Sequence, residues 1–224
     1  IIYNKADESS VRIRFVKINK QRGLNLVKST DCVHVHTMIL YTIYKGNMND
    51  REEMHMKIGF NEATALECKG QSLMADLEMC EKYGFDYIEI RFDCLKEYLK
   101  EHTLEELAEW FGSHRLKPWA YNTLLYFNQR DEAGKQEVDE EVEFILKVSK
   151  AIGLKMMITV PTCGVKDKTV SEIREEAVER LRYLSHKVGK DMRISLEFCG
   201  APDCSINQFG TAYDIVKEVD RDNV

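Results

Sequence analysis

Short apolar runs alternate with longer amphipathic stretches along most of the chain, from residue 57 to the end. The apolar runs have the length of strands, and the stretches between them repeat apolar residues every three or four positions, as helices do. Successive runs start about 30 to 38 residues apart, which is the length of one strand–helix unit. The predicted strands are Lys57–Asn61, Tyr87–Arg91, Lys117–Asn122, Lys155–Val160 and Arg193–Phe198.

Capping signals mark where several of the predicted helices begin and end. Thr103 and Thr169 are each followed three residues later by a glutamate, which is the capping-box pattern of a helix start. Gly84, Gly153 and Gly189 each end an amphipathic stretch just before a new strand, where glycine is the usual helix terminator. One apolar stripe runs along the longest predicted helix and consists of Val138, Val142, Ile145, Val148 and Ile152.

Repeated strand–helix units form a parallel sheet, which is either open or closed into an eight-stranded barrel. Strands of an open sheet are buried on both faces and are apolar throughout. In the run Arg193–Phe198, by contrast, apolar residues alternate strictly with polar or charged ones, as expected when helices cover one face and the other lines a pocket. We therefore predict an α/β fold, a (β/α)8 TIM barrel that is truncated after about five βα units.

The first 53 residues differ from the rest in composition and charge. Residues 1–53 carry nine basic and six acidic side chains, whereas residues 54–224 carry 23 and 32. Two interpretations are open for this N-terminal extension: a small appended β element, or translated upstream sequence ahead of a start at Met54 or Met56. We favour the second, because a Glu-Glu pair shortly before a methionine fits a purine-rich bacterial ribosome-binding sequence. Residues 54–224 then form the partial barrel.

Overall charge bears on the partners of the chain. The 224 residues include 32 Lys and Arg and 38 Asp and Glu, which gives a formal net charge of −6. Such a chain lacks the basic surplus that attracts nucleic acid or an anionic membrane surface. The longest apolar run, at residues 38–41, is far shorter than the ~20 residues of a membrane span. We predict a small-molecule partner, and neither nucleic acid nor a membrane.

Cysteine spacing argues against a zinc ribbon or a disulfide scaffold. The chain has seven cysteines, an odd number, and no C-x-x-C pair, so neither class of site has the spacing that it requires. We expect reduced thiols, which are typical of a cytoplasmic protein.

Catalytic groups of such barrels lie at the C-terminal ends of the strands. The polar residues that we assign to the inner face near these ends are Asn61, Glu89, Arg91, Asn122, Thr159 and Glu197. Glu197 is the most informative, because a carboxylate between apolar residues is costly to bury unless it binds a cation or has an ionic partner.

Each candidate has a simpler structural explanation beside the functional one. Glu197 pairs with a basic neighbour such as Arg91 or Arg193 in that alternative, and Glu89 and Arg91 neutralise each other on one strand. Glu62 either points outward or lies in the loop after the first strand, and we give it little weight.

Aromatic and histidine residues supply weaker candidates. Tyr126 and Phe127 follow the third predicted strand and are placed to wall a sugar pocket, although a helix-facing core position is the default for such residues. His34 and His36 share one face if their segment is a strand, which offers a metal site, but we favour chance placement as the explanation of this pair.

Several runs of sequence resemble the xylose isomerase-like sugar isomerase and epimerase barrels. These runs are Met56–Thr64, Tyr87–Arg91, Asn128–Glu132, Leu196–Pro202 and Tyr213–Val224. The resemblance is greatest to the branch of the family that acts on inososes in inositol catabolism, and it covers all but the first 55 residues.

The resemblance implies a metal site. In this family one divalent ion, which we expect to be Zn, Mn or Co, is held by Glu, Asp, His and Glu from the fifth to eighth barrel strands. Glu197 corresponds to the first of these ligands. The aspartate is expected a few residues past Val224, and the other two ligands further on.

The resemblance also implies an activity. The metal polarises a ketone and its neighbouring hydroxyl, and a carboxylate moves the proton between them through an enediol, so that the ketone migrates to the adjacent carbon of a cyclic polyol. Glu197 is then both a metal ligand and a candidate for the proton transfer. The residues expected to bind substrate are Asn61, Glu89, Arg91, Asn122 and Tyr126.

Three alternatives stay open at this point. Another sugar or hydroxy-acid isomerase, epimerase or dehydratase has the same fold. An apurinic endonuclease shares the barrel but requires three metals and a basic surface for DNA, which the acidic charge of residues 54–224 disfavours. The third alternative is an inactive truncated fragment whose open strand edges favour aggregation.

Overall fold

The computed structural model describes the backbone of residues 40–41 and, beyond that, residues 57–65, 68 and 70–224. His34 and His36 lie outside the described residues, and so does most of the N-terminal extension. The origin of that extension therefore stays a prediction.

All five predicted strands are present. The first two have the predicted bounds, whereas the third continues three residues further and the fifth ends two residues earlier. A two-residue strand precedes them. The strands are β1 (Leu40–Tyr41), β2 (Lys57–Asn61), β3 (Tyr87–Arg91), β4 (Lys117–Leu125), β5 (Met156–Val160) and β6 (Arg193–Leu196).

Helices connect the strands. A 3-10 turn over Glu62–Ala65 follows β2, and a short helix directly after β3 is a feature that the hydrophobic pattern did not predict. The helices are α1 (Leu73–Tyr83), α2 (Phe92–Tyr98), α3 (Leu104–Ser113), α4 (Glu132–Ile152), α5 (Val170–Val188) and α6 (Phe209–Val219).

The order of the strands in the sheet follows their order in the chain. β1 pairs antiparallel with β2, and β2 to β6 are parallel, each beside the next. Because strand–helix–strand connections are right-handed, a sequential order places every connecting helix on the same face of the sheet. An open doubly wound sheet instead reverses its strand order at a switch point. The described strands therefore form five consecutive units of a TIM barrel.

Two apolar layers confirm this arrangement. The larger layer packs the helices against one face of the sheet and includes Ile88, Ile90, Ile194 and Leu196. The smaller layer consists of Ala120, Met156 and Ile158, with Trp119 beside it, and lies on the opposite face. The inner face of the barrel is thus apolar at its centre and polar toward the strand ends.

Helices begin or end at the predicted capping residues. Thr103 and Thr169 both form complete capping boxes, in which the hydroxyl and the following glutamate bond backbone N–H groups. Gly84 and Gly153 end their helices with φ of 82° and 79°, a left-handed conformation that glycine adopts without steric cost. The predicted stripe of α4 is buried along its whole length.

The chain after α6 returns to the sheet beside β6. The Ile194 N–H donates to the Asn223 carbonyl at 2.7 Å, and the Asn223 amide donates to one carbonyl group in the last turn of α5 and to two between α5 and β6. Among the helices of the described residues, none has the length and apolar character that crossing a membrane requires.

Candidate active site

The C-terminal ends of β2, β3 and β4 bring three of the predicted residues into contact. The Asn122 Nδ2 lies 3.3 Å from the Asn61 Oδ1 and 3.3 Å from the Glu89 Oε2. The register explains the contact, because Asn61 pairs with Glu89 and Asn122 with Arg91 across neighbouring strands. Glu89 is only 3% exposed. The predicted inner-face cluster of Asn61, Glu89 and Asn122 is therefore present.

Arg91 has a different ionic partner from the one expected. Its guanidinium pairs with Asp93 in the first turn of α2, with Nε 2.8 Å from Oδ1 and Nη2 in contact with Oδ2. The expectation that Glu89 neutralises Arg91 is therefore wrong, because the short helix after β3 supplies a nearer carboxylate. The remaining nitrogen, Nη1, is buried without a hydrogen-bond partner.

Glu62, to which the sequence analysis gave little weight, is buried beside the candidate site. It is fully buried in the 3-10 turn after β2, and its Oε2 accepts the backbone N–H of Arg91 at 2.6 Å. Burial raises the pKa of Glu62 to about 8, and the nearby Asp76 acts in the same direction. The only signal in the sequence is a carboxylate directly after a strand end. Strand alternation gives no direction for a side chain in such a turn.

Glu197 follows β6 directly and continues the parity of Ser195, which is paired with Ile158 of the inner layer. Its side chain stays exposed to solvent, while desolvation by the surrounding protein raises the pKa of the carboxyl group. No ion pair joins Glu197 to Arg91, Arg193 or any other side chain among the described residues. The neutralised-pair alternative therefore has no support in the structure.

A carboxylate at this position fits a divalent cation as one oxygen ligand. In the described part of the chain, however, no group of three or more His, Cys, Asp or Glu side chains lies close enough to hold a metal ion. The described residues thus offer Glu197 as a single ligand and do not form a complete metal site.

Two further candidates lie elsewhere. Thr159 has the parity of Met157, which packs in the helix-facing layer, and its hydroxyl donates to the Ser195 carbonyl at 3.1 Å. The assignment of Thr159 to the inner face is wrong, because the polar side chain satisfies its hydrogen bond within the sheet. Phe127 is likewise buried in the helix-facing core rather than in a pocket wall.

Tyr126 lies at the C-terminal end of β4 and is 41% exposed. Its φ of 55° is a left-handed conformation that is uncommon outside glycine. The ring lines a groove of about 200 Å³ together with Phe92, Lys96 and Arg130, between α2 and α4. Tyr126 is thus at the expected end of the sheet, but it lines this outer groove together with residues of the helices.

The loops that follow β4, β5 and β6 are joined at the same end. Buried Asn128 accepts the Thr162 N–H at 2.9 Å and donates to the Ser205 hydroxyl at 3.2 Å. A disulfide connects Cys163 and Cys204, whose Cα atoms are 4.0 Å apart. The expectation of reduced thiols is wrong for this pair, because the fold brings together two loops that are 41 residues apart in sequence.

Comparisons with known proteins agree with this architecture. A family model described as a xylose isomerase-like TIM barrel matches residues 77–224. An inosose isomerase of Bacillus velezensis is 46% identical over 171 residues, and one of Bacillus licheniformis is 47% identical over 171 residues; the matches cover 75% of this chain and 60% and 61% of those proteins.

A solved structure is similar as well. The IOLI protein, whose crystal structure was solved with a binding zinc atom, has 44% sequence identity to this chain, and the two structures superpose with a TM-score of 0.71. The match covers 74% of this chain and 60% of that one. The chain thus spans about 60% of the length of these relatives. Fold and sequence similarity agree, and the chain belongs to the xylose isomerase-like TIM barrel family.

Proposed function

We propose that the chain is part of a cytoplasmic isomerase that moves a ketone between adjacent carbons of an inosose in inositol catabolism. The observation that carries the proposal is the carboxylate of Glu197 at the end of β6, in a chain similar to inosose isomerases. The substrate is a small polyol, and the inner face between the strand ends accommodates its hydroxyl groups.

Proton transfer is the step assigned to Glu197. Its carboxylate removes the proton from the carbon that bears a hydroxyl beside the ketone, which gives an enediol. The carboxylic acid then returns this proton to the former ketone carbon, while the hydroxyl proton passes to the former ketone oxygen, so that the hydroxyl oxygen becomes the new carbonyl and the ketone oxygen the new hydroxyl. The raised pKa of Glu197 suits a group that must both take and give back this proton.

Polar residues of the first three barrel strands orient the ring. The Asn61 and Asn122 amides and the Arg91 guanidinium supply donors for hydroxyl and ketone oxygens, and the buried Glu89 fixes the Asn122 amide. Tyr126 extends the binding surface toward the helices. A divalent ion, Zn, Mn or Co, held by Glu197 with ligands outside the described residues, supplies positive charge to the ketone and its neighbouring hydroxyl when bound.

The proposal is tested by following 2-keto-myo-inositol by proton NMR with the purified full-length protein that contains this chain and Zn²⁺, Mn²⁺ or Co²⁺. We expect conversion to an isomeric inosose that a chelator abolishes and that metal restores. A panel of ketoses and hydroxy acids is measured in parallel. Turnover of one of these compounds without turnover of any inosose would refute the proposed substrate.

A further inference from the structure

The buried Glu62 side chain is hydrogen-bonded to the backbone at the end of β3. Its Oε2 accepts the Arg91 N–H at 2.6 Å, and its backbone carbonyl accepts the Gln71 side-chain amide at 3.1 Å. The same amide reaches the Asp76 Oδ2 at 3.4 Å. The 3-10 turn after β2 is thus joined to the end of β3 through the Glu62 carboxyl group and to the segment before α1 through the Glu62 backbone carbonyl.

Arg91 is restrained from a second side. Asp93 binds two nitrogens of the guanidinium, and the Asp93 Oδ1 also accepts the Cys94 N–H at 3.0 Å. The Arg91 side chain is only 12% exposed, yet its Nη1 has no partner. A buried, charged N–H group without an acceptor is costly, and a ligand oxygen removes that cost.

The surroundings of Glu62 keep it neutral at neutral pH. The ionisable groups that face it are Asp76 and Cys80 from α1, Arg91 from β3, and Cys94 from α2. Burial raises the pKa of both Glu62 and Asp76. A protonated Glu62 accepts the Arg91 N–H through one oxygen and leaves the guanidinium to Asp93.

We infer that Glu62 is a positioning residue of the site: it fixes the end of β3 so that Arg91 presents its unpaired Nη1 to an oxygen atom of the cyclic polyol. The inference rests on the proposed function for the identity of that ligand. When Glu62 loses its proton, the new negative charge attracts the guanidinium, and Arg91 is drawn away from the ligand oxygen.

A nitrogen–proton NMR titration of the full chain tests the positioning without any substrate. Between pH 6 and pH 10 the Arg91 backbone amide shifts with a midpoint near 8, which is the pKa raised by the burial of Glu62. Glu62→Gln, which mimics the neutral acid, abolishes that shift, whereas Glu78→Gln on the exposed face of α1 leaves it intact. An Arg91 amide that does not titrate, or that titrates equally in Glu62→Gln, overturns the inference.

Binding of 2-keto-myo-inositol tests the consequence for the ligand. The dissociation constant rises at least about tenfold in Glu62→Ala, and Glu62→Gln restores the affinity and removes its loss above pH 8. Equal affinity of Glu62→Ala and the unchanged chain overturns the ligand role. If no variant binds the inosose, the proposed function fails, and the amide titration still decides whether Glu62 positions Arg91.

Discussion

Glu62 and Glu197 are carboxylic acids that follow strand ends, and the protein surrounds them differently. Glu62 is fully buried beside Asp76, whereas Glu197 stays open to solvent. Desolvation raises the pKa of both groups, so each binds its proton more tightly than in water. Of the two, Glu197 is the one that solvent reaches, which suits the proton transfer that we propose for it, whereas the buried Glu62 suits the positioning role that we infer.

Glu62 makes stability depend on pH. The pKa of its carboxyl rises from 4.5 to about 8 on folding, so the folded state holds the proton more tightly. Its contribution to stability is therefore lost as pH increases from about 4.5 to 8. Urea unfolding is measured at pH 5, 7 and 9. Between pH 5 and pH 9 the free energy of unfolding should fall by roughly 1–3 kcal/mol more than it does in Glu62→Gln. Parallel curves for the two proteins would contradict a neutral buried Glu62.

Alternation along strands predicted the inner-face residues of β2, β3 and β4, but it failed for Thr159 in β5, where the run Met156–Val160 does not alternate. Asn61, Glu89 and Asn122 meet on the inner face because residues two apart on a strand share a face. The partner of Arg91 was not predictable in this way, because Asp93 lies in a helix that the hydrophobic pattern does not reveal. The direction of Glu62 depends on a 3-10 turn, and no periodicity describes one turn.

Elements were predicted best where local signals and burial agree. The capping boxes, the helix-ending glycines and the apolar stripe of α4 all act within a few residues, and the structure contains each of them. Bounds were less accurate in β4, which pairs with β5 through a register shift between Tyr121 and Leu124. That irregularity depends on the neighbouring strand, and local propensity cannot encode it.

The capping box at the start of α5 allows a prediction about the stability contributed by a single helix end. The Thr169 hydroxyl accepts the Glu172 N–H at 3.2 Å, and the Glu172 carboxylate accepts the Thr169 N–H at 2.7 Å. Thr169→Ala removes the first bond and should lower the free energy of unfolding by about 1 kcal/mol. Glu179→Ala, an exposed change in the same helix, should change it by less than about 0.5 kcal/mol. A similar loss in both variants would show that the cap is not responsible.

At the scale of the whole molecule, strand spacing predicted the sequential parallel sheet. Contacts between loops were not predictable, because they depend on which loops become neighbours once the sheet has formed. The Cys163–Cys204 disulfide and the bonds of Asn128 illustrate this, since they join segments that are distant in sequence.

The disulfide provides a test of that loop arrangement. It closes a segment with a sequence separation of 41 residues, and such a crosslink stabilises a domain by about 2–4 kcal/mol, mainly by restricting the unfolded chain. In protein purified without reductant, reduction should lower the free energy of unfolding by that amount. Reductant should have no effect on a Cys163→Ser, Cys204→Ser double variant. Alkylation of both thiols in unreduced, unfolded protein would contradict the bond.

Deuterium exchange into 2-keto-myo-inositol is the sharpest test of the proposed isomerase, because it follows the proton step assigned to Glu197. In deuterated buffer with Zn²⁺, the full-length protein that contains this chain should catalyse exchange at the carbon beside the ketone, as read by proton NMR. Glu197→Gln should exchange at least about 100-fold more slowly, whereas Glu179→Gln should match the unchanged chain. Exchange by Glu197→Gln at the unchanged rate would contradict the account.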